Sequence, residues 1–307
     1  MRPNKLLLSA FALSVGIATA GTGVASAHED QPAPTPGAPV FFAAELTGRA
    51  EIPVAGGPAV GDPDGHATEV VRIQGNQVSF AIKWKNIGAP TAAHIHDGKA
   101  GVNGAVKVPF FGGVLPEGVN GAVGHVSVGD PALLKTFTDG SGAFYANLHT
   151  AEFPGGAVRG QFRKLDKAVD LNRVLHNGDL SALASGDQEV PGAGDPDGGA
   201  TAFVETHRSS VDYSFTFSGV GSPTLGHIHQ GDAGTSGPVV VPLFAAPGGL
   251  PASITGIAGT ATKVPANVIR GIDRNPGGFY ANLHTAEFPA GAVRGQLFEP
   301  GDDDSLY

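Results

Sequence analysis

FYANLHTAEFPGGAVRGQF, residues 144–162, returns almost unchanged as FYANLHTAEFPAGAVRGQL, residues 279–297. Only two of the 19 positions differ, so the chain is one module built twice. Each copy opens as a strand, because Phe144, Ala146 and Leu148 alternate with Tyr145, Asn147 and His149. The run Glu152-Phe153-Pro154-Gly155-Gly156 then turns the chain, with proline setting one dihedral and glycine the other. A Val-Arg-Gly-Gln strand closes the hairpin. Glu152 and Arg159 flank the turn, as do Glu287 and Arg294, and the spacing predicts an ion pair across each hairpin. An exposed pair of this kind contributes up to about 1 kcal/mol.

The repeat offset of about 135 residues divides the 307-residue chain into two modules, each large enough to fold without staples. With 47 glycines and 24 prolines the chain suits short strands joined by turns, not helices. Arg2 and Lys5, an apolar run over 6–20 and Ala25-Ser26-Ala27 read as a secretory signal peptide over 1–27. Its removal would leave 17 basic against 28 acidic residues, and no basic run lies near either repeat, which argues against nucleic acid. There is no cysteine to form a disulfide or carry a lipid, and no membrane anchor is expected. The expected location is extracellular.

Residues 28–39 (HEDQPAPTPGAP) read as a proline-rich leader, and 300–307 as an acidic tail. The sharpest period-2 signals are Val78, Phe80, Ile82 and Trp84 in the first copy and Val211, Tyr213, Phe215 and Phe217 in the second. Such alternation predicts antiparallel sheets with one buried and one wet face. Both copies carry Gly-Asp-Pro-Asp-Gly, at 61–65 and 194–198, which lacks the following glutamate of a calcium loop and reads as a turn. Asp130-Pro131 predicts a capped short helix, and 166–177 a helical connector ending at Asn177-Gly178. The expected fold is all-β: two tandem antiparallel β-sandwich modules, 40–165 and 178–299, of immunoglobulin-like type.

Of eleven histidines, six fall at matching places: His94 with His227, His96 with His229, His149 with His284. Two histidines at i and i+2 on a strand share a face, roughly 6.5–7 Å apart along it. If the strand of His149 pairs beside them, a third imidazole joins, and three histidines with an open fourth position suit copper or zinc. The competing expectation is a metal-free hydrogen-bond network held by Asp97, Glu152 or Arg159. His28 would gain a free amine if cleavage follows Ala27, and amine plus imidazole can chelate copper; as a lone residue at a chain end it carries little weight.

His94-Ile95-His96-Asp97-Gly98 with Gly101 and Gly104, then Asn147-Leu148-His149-Thr150, then Pro154 to Gln161 ending in Arg159-Gly160-Gln161, resemble the CHRD domain, named from chordin. The likeness runs through both modules. It implies an extracellular β-rich module; chordin's cysteine-rich modules, and with them growth-factor binding, are not implied here. A fainter likeness, to the superoxide-dismutase-like sandwich of the copper–zinc enzyme, rests on the His-x-His strand alone, without that enzyme's bridging histidine and zinc loop.

Together these readings predict a secreted two-module binding protein with a three-histidine copper or zinc site in each module. Its partner would be an extracellular protein or surface ligand. The alternative is a structural or adhesion module whose histidines only organise the fold. No catalytic constellation is recognised: there is no Gly-x-Ser-x-Gly elbow, and the recurring Glu51 and Glu189 form no evident acid/base couple.

Overall fold

A computed structural model describes residues 37–301. The expected signal segment, His28, most of the leader and most of the acidic tail lie outside the described residues. The first repeat forms β1 (Val40–Thr47), β2 (His66–Gln74), β3 (Gln77–Lys85), β4 (Pro90–Asp97), β5 (Val106–Gly112), β6 (Val119–Ser127), α1 (Pro131–Thr138), β7 (Phe144–Thr150), β8 (Val158–Gln161) and the short β9 (Arg163–Lys164). Then come α2 (Leu171–Leu175) and the second repeat: β10 (Leu180–Ser185), β11 (Gly199–Thr206), β12 (Ser210–Ser218), β13 (Pro223–Gln230), β14 (Val239–Ala245), β15 (Ile254–Thr262), α3 (Ala266–Arg274), β16 (Phe279–Thr285) and β17 (Val293–Gln296).

Each repeat is a sandwich of two antiparallel sheets. In the first, the order β1-β2-β3-β6 faces β5-β4-β7-β8, and the sheets join where Thr47 of β1 meets Arg159 of β8. The second repeats this order, with Ser185 meeting Arg294. Alternation fills the space between the sheets with Val78, Phe80, Ile82, Ile95, Ala146 and Leu148, all at most 1% exposed. Burying such side chains contributes roughly 1.5–3 kcal/mol each.

The aspartate cap expected for α1 is present: Asp130 accepts from the Ala132 and Leu133 amides, both at 3.0 Å. The connector helix is shorter than its periodicity suggests. Asp170 caps it by accepting from Asn172 N at 3.0 Å, so helix begins only at Leu171. The Gly-Asp-Pro-Asp-Gly segment is a turn that docks on the hairpin, with Gly61 N and Asp62 N donating to Gly156 O (2.8 Å) and Ala157 O (2.9 Å).

The two sandwiches are not separate bodies; the described residues, 37–301, fall in one compact unit. Strand β6 pairs antiparallel with β15, with Ala122 opposite Ile257. Ala122 lies across from Ile82 and Ile257 across from Phe215, so these two are the same position in the two repeats. A pseudo-two-fold axis therefore passes between them, as in an isologous dimer. Glycines permit the close approach: a Cβ on Gly124 would sit 1.9 Å from Ser253 O. On the outer face Leu175 of α2 seals the seam against Ala81, Val123 and Ala258.

This seam makes a prediction. A chain limited to 37–177 would leave β6 as an open edge, and such edges pair with one another. It should sediment as a dimer joined through β6, whereas the whole protein should not dimerise by that strand; a monomeric half would contradict the isologous seam.

Candidate metal centre

Strands β4 and β7 lie side by side, with Ala92 opposite His149, His94 opposite Asn147 and His96 opposite Tyr145. Since Ile95, Ala146 and Leu148 point into the core, alternation sends His94, His96, Tyr145, Asn147 and His149 to the opposite face. Alternation by itself would leave this polar face to solvent. Instead Tyr145 and Asn147 are 2% and 4% exposed, because the loops around Glu51 and Gly104 fold back over it.

The three imidazoles converge. Ring centroids of His94 and His149 are 5.0 Å apart, those of His94 and His96 5.7 Å, and those of His96 and His149 6.4 Å. One ring nitrogen from each lies within 4.8 Å of the others, and His227, His229 and His284 form the same group in the second repeat. Backbone carbonyls fix the tautomers. His96 Nδ1 sits 3.0 Å from Gly104 O and His149 Nδ1 3.0 Å from Pro154 O, so each must carry its proton on Nδ1. The second repeat matches, with His229 Nδ1 2.9 Å from Gly237 O and His284 Nδ1 3.1 Å from Pro289 O. The Nε2 atoms of these four rings are thereby left as acceptors, and that of His284 meets His227 Nδ1 at 3.1 Å. Those of His96, His149 and His229, and Nδ1 of His94, are buried without a hydrogen-bond partner.

Protonation does not relieve them. Burial first, then the charges of His149 and His96, push His94 down to about 4; His227 falls to about 4 by burial, His284 and His229. His96, His149, His229 and His284 are also lowered, each chiefly by burial. All six rings are neutral at pH 7, the form that binds metal.

A supporting layer fixes His96. Its ring stacks on Tyr145 at 4.8 Å and 12°, and the Arg159 guanidinium covers the other face of Tyr145 at 3.4 Å from the ring centroid. Tyr145 Oη accepts from Gly104 N at 3.1 Å, the residue whose carbonyl holds His96. A Cβ on Gly104 would lie 1.5 Å from Asp97 O, so only glycine fits there. Tyr280, Arg294 and Gly237 repeat the arrangement around His229.

The expected hairpin ion pairs are not formed. Arg159 lies opposite Asn147 on the histidine face, 2% exposed, and donates to Asn103 Oδ1 (2.9 Å), Val102 O (2.7 Å) and Lys99 O (3.2 Å). Arg294 donates to Asp232 O and Gln296 Oε1. Glu152 and Glu287 stay exposed in their turns. The strand after the turn carries each arginine inward, away from the glutamate.

Glu51 has the place near Arg159 that Glu152 does not. It accepts from Asn147 Nδ2 at 3.3 Å and packs so closely on Gly156 that a Cβ there would meet its carboxylate at 2.5 Å. Burial raises it to about 7, against the lowering pull of Arg159 and Asn147. Glu189 does the same beside Asn282 and Gly291 and is likewise raised to about 7. Their recurrence was visible in the sequence, but the long-range fold that buries them was not. A third group, Glu205, His207 and Asp212, also clusters within 4.8 Å, but it is largely exposed and has no counterpart in the first repeat.

Among the described residues no helix is long and apolar enough to cross a membrane. Comparisons with curated proteins and with solved structures returned no match. The CHRD domain family model matches residues 42–162 and 180–297, two regions that each enclose one histidine triad. The chain therefore belongs to the CHRD domain family, as two tandem copies of an extracellular-type binding module.

Proposed function

We propose that this is a secreted metal-binding protein in which each module holds one copper or zinc ion on its three histidines. The observation that carries the reading is the set of bare ring nitrogens. In each module two imidazoles spend their Nδ1 protons on carbonyls, leaving acceptors that converge with the third ring. A carbonyl behind each ligating histidine is the usual outer support of a metal site. The third histidine has one proton to share, so a metal-free network satisfies at most one of two facing acceptors. A cation satisfies all three donors and leaves a coordination position open.

One contact favours the alternative, a histidine network that only stabilises the fold. His227 Nδ1 lies 3.1 Å from His284 Nε2, a hydrogen bond that forms without metal. It leaves His229 Nε2 unpartnered. Equilibrium dialysis of the chelator-treated protein with copper and zinc separates the two. The expected result is close to two ions per chain and a melting temperature that rises with bound metal. Less than about 0.2 ion per module, with no thermal shift, would leave the network reading standing.

A further inference from the structure

We propose that both centres are built for a monovalent soft cation, cuprous copper, in preference to cupric copper or zinc, and that Arg159 and Arg294 impose this choice. The inference rests on the metal reading above. Its first support is the donor set: each triad offers three neutral imidazole nitrogens and no carboxylate oxygen within the same 4.8 Å. A dication held there would keep its full double charge, while a d¹⁰ monocation accepts three such donors readily.

The second support is the arginine. Each guanidinium is 2% exposed and stacked on the tyrosine next to a candidate ligand. Its hydrogen bonds go to neutral groups only: carbonyls and Asn103 in the first repeat, a carbonyl and Gln296 in the second. A buried cation without a hydrogen-bonded anion is costly, yet both copies keep it. Its field opposes any added positive charge, and opposes two charges twice as much as one.

The other charges nearby do not cancel it. Asp97, beside His96, is matched by Lys107 at 3.2 Å, and the second repeat has Gln230 at that place. Glu51 and Glu189 are the carboxylates that feel the arginines directly. They bond to Asn147 and Asn282, not to the arginines, and burial holds them partly protonated at neutral pH. Removing the two kinds of charge should therefore move the preference in opposite directions.

The test measures affinity for Cu(I) against a chromophoric cuprous chelator under anaerobic reducing conditions, and for Cu(II) and Zn(II) against weak competing ligands. The whole protein should hold Cu(I) at least a hundredfold more tightly than either dication. Arg159→Gln with Arg294→Gln should shrink the Cu(I)/Cu(II) ratio about tenfold, which is 59 mV in a one-electron potential. Arg→Lys at both places should restore most of it, and Glu51→Gln with Glu189→Gln should enlarge it. The glutamine-for-glutamate pair keeps the test open should the arginine variants fail to fold. Cu(II) or zinc bound as tightly as Cu(I), or a ratio indifferent to both pairs of variants, overturns this inference and leaves the metal reading intact. No binding of any of the three ions overturns both.

Discussion

Replacing His149 by alanine should halve the metal stoichiometry, leaving one ion on His227, His229 and His284 and none on the first module. The expected loss of affinity at the altered site is about a thousandfold or more, since removing a partner one layer further out already costs 10–100-fold. The metal-free variant should change in stability by only about 1 kcal/mol, because the ring leaves behind one lost bond to Pro154 O but also removes an unpaired buried Nε2. A structural histidine network predicts the reverse pattern, with little effect on metal and a clear loss of stability. Acid separates the readings further. Histidines whose folded pKa is depressed, as His94 and His227 are to about 4, take up protons on unfolding below about 6.5. Stability from this source is fully present above 6.5 and is lost as pH falls towards 4. Protons compete with metal only near the lowered pKa values of the folded rings, so the loss of metal with falling pH should be centred below 6.5. A steep loss centred on 6.5 would show rings with ordinary basicity and thus no desolvated pocket.

How far the sequence carries towards this site is visible residue by residue. The pair His94 and His96 and the strand of His149 are legible because β-strand alternation is local, and six matched histidines in a twice-built module leave few other arrangements. That β4 and β7 are neighbours is a long-range pairing, and no turn connects them to announce it. Arg159 misleads for a similar reason. The opposite charge across its hairpin turn is Glu152, but the pleat of β8 turns it under a loop from residues 98–105, some 57 positions away. The polar face of β7 is hidden by the same loops, which cover Tyr145 and Asn147. The seam between the modules is hidden in VNGAVGHVS and ITGIAGTAT. Their glycines look like weak strand formers. They are there because Gly124 and Gly256 have no room for a Cβ against Ser253 O (1.9 Å) and Phe215 O (2.5 Å).

Glu69 shows the opposite case, a local pattern that the chain violates, and replacing it should stabilise the protein by about 2–4 kcal/mol at pH 7. In HATEVVRIQ it shares its phase with Ala67, Val71 and Ile73, all core residues, and it is 0% exposed. Neither carboxylate oxygen has a hydrogen-bond partner, and burial raises its pKa well above 4.5. The second module shows what the position fills. There Ala202 replaces Glu69, and the residue across from it is Phe215 where the first module has Ile82. Large and small have changed places, so Glu69 takes up space that the phenylalanine ring occupies in the other copy. Glu69→Ala alone would open a cavity and give up part of the gain. Glu69→Leu keeps most of the volume and removes the unpaired polar group, and it should give the larger gain. The sign of the pH dependence follows from the raised pKa. The folded state holds a proton that the unfolded chain releases near 4.5, so this residue costs nothing extra below that pH and progressively more above it. The stability difference between Glu69→Leu and the parent should therefore widen from pH 4 to pH 7 in urea titrations. Glu69→Gln, still polar but unable to ionise, should flatten the slope without recovering the full gain. A difference independent of pH would mean the carboxyl is ionised in the fold and has found a partner, contrary to its isolation between Ala44 and Ile82.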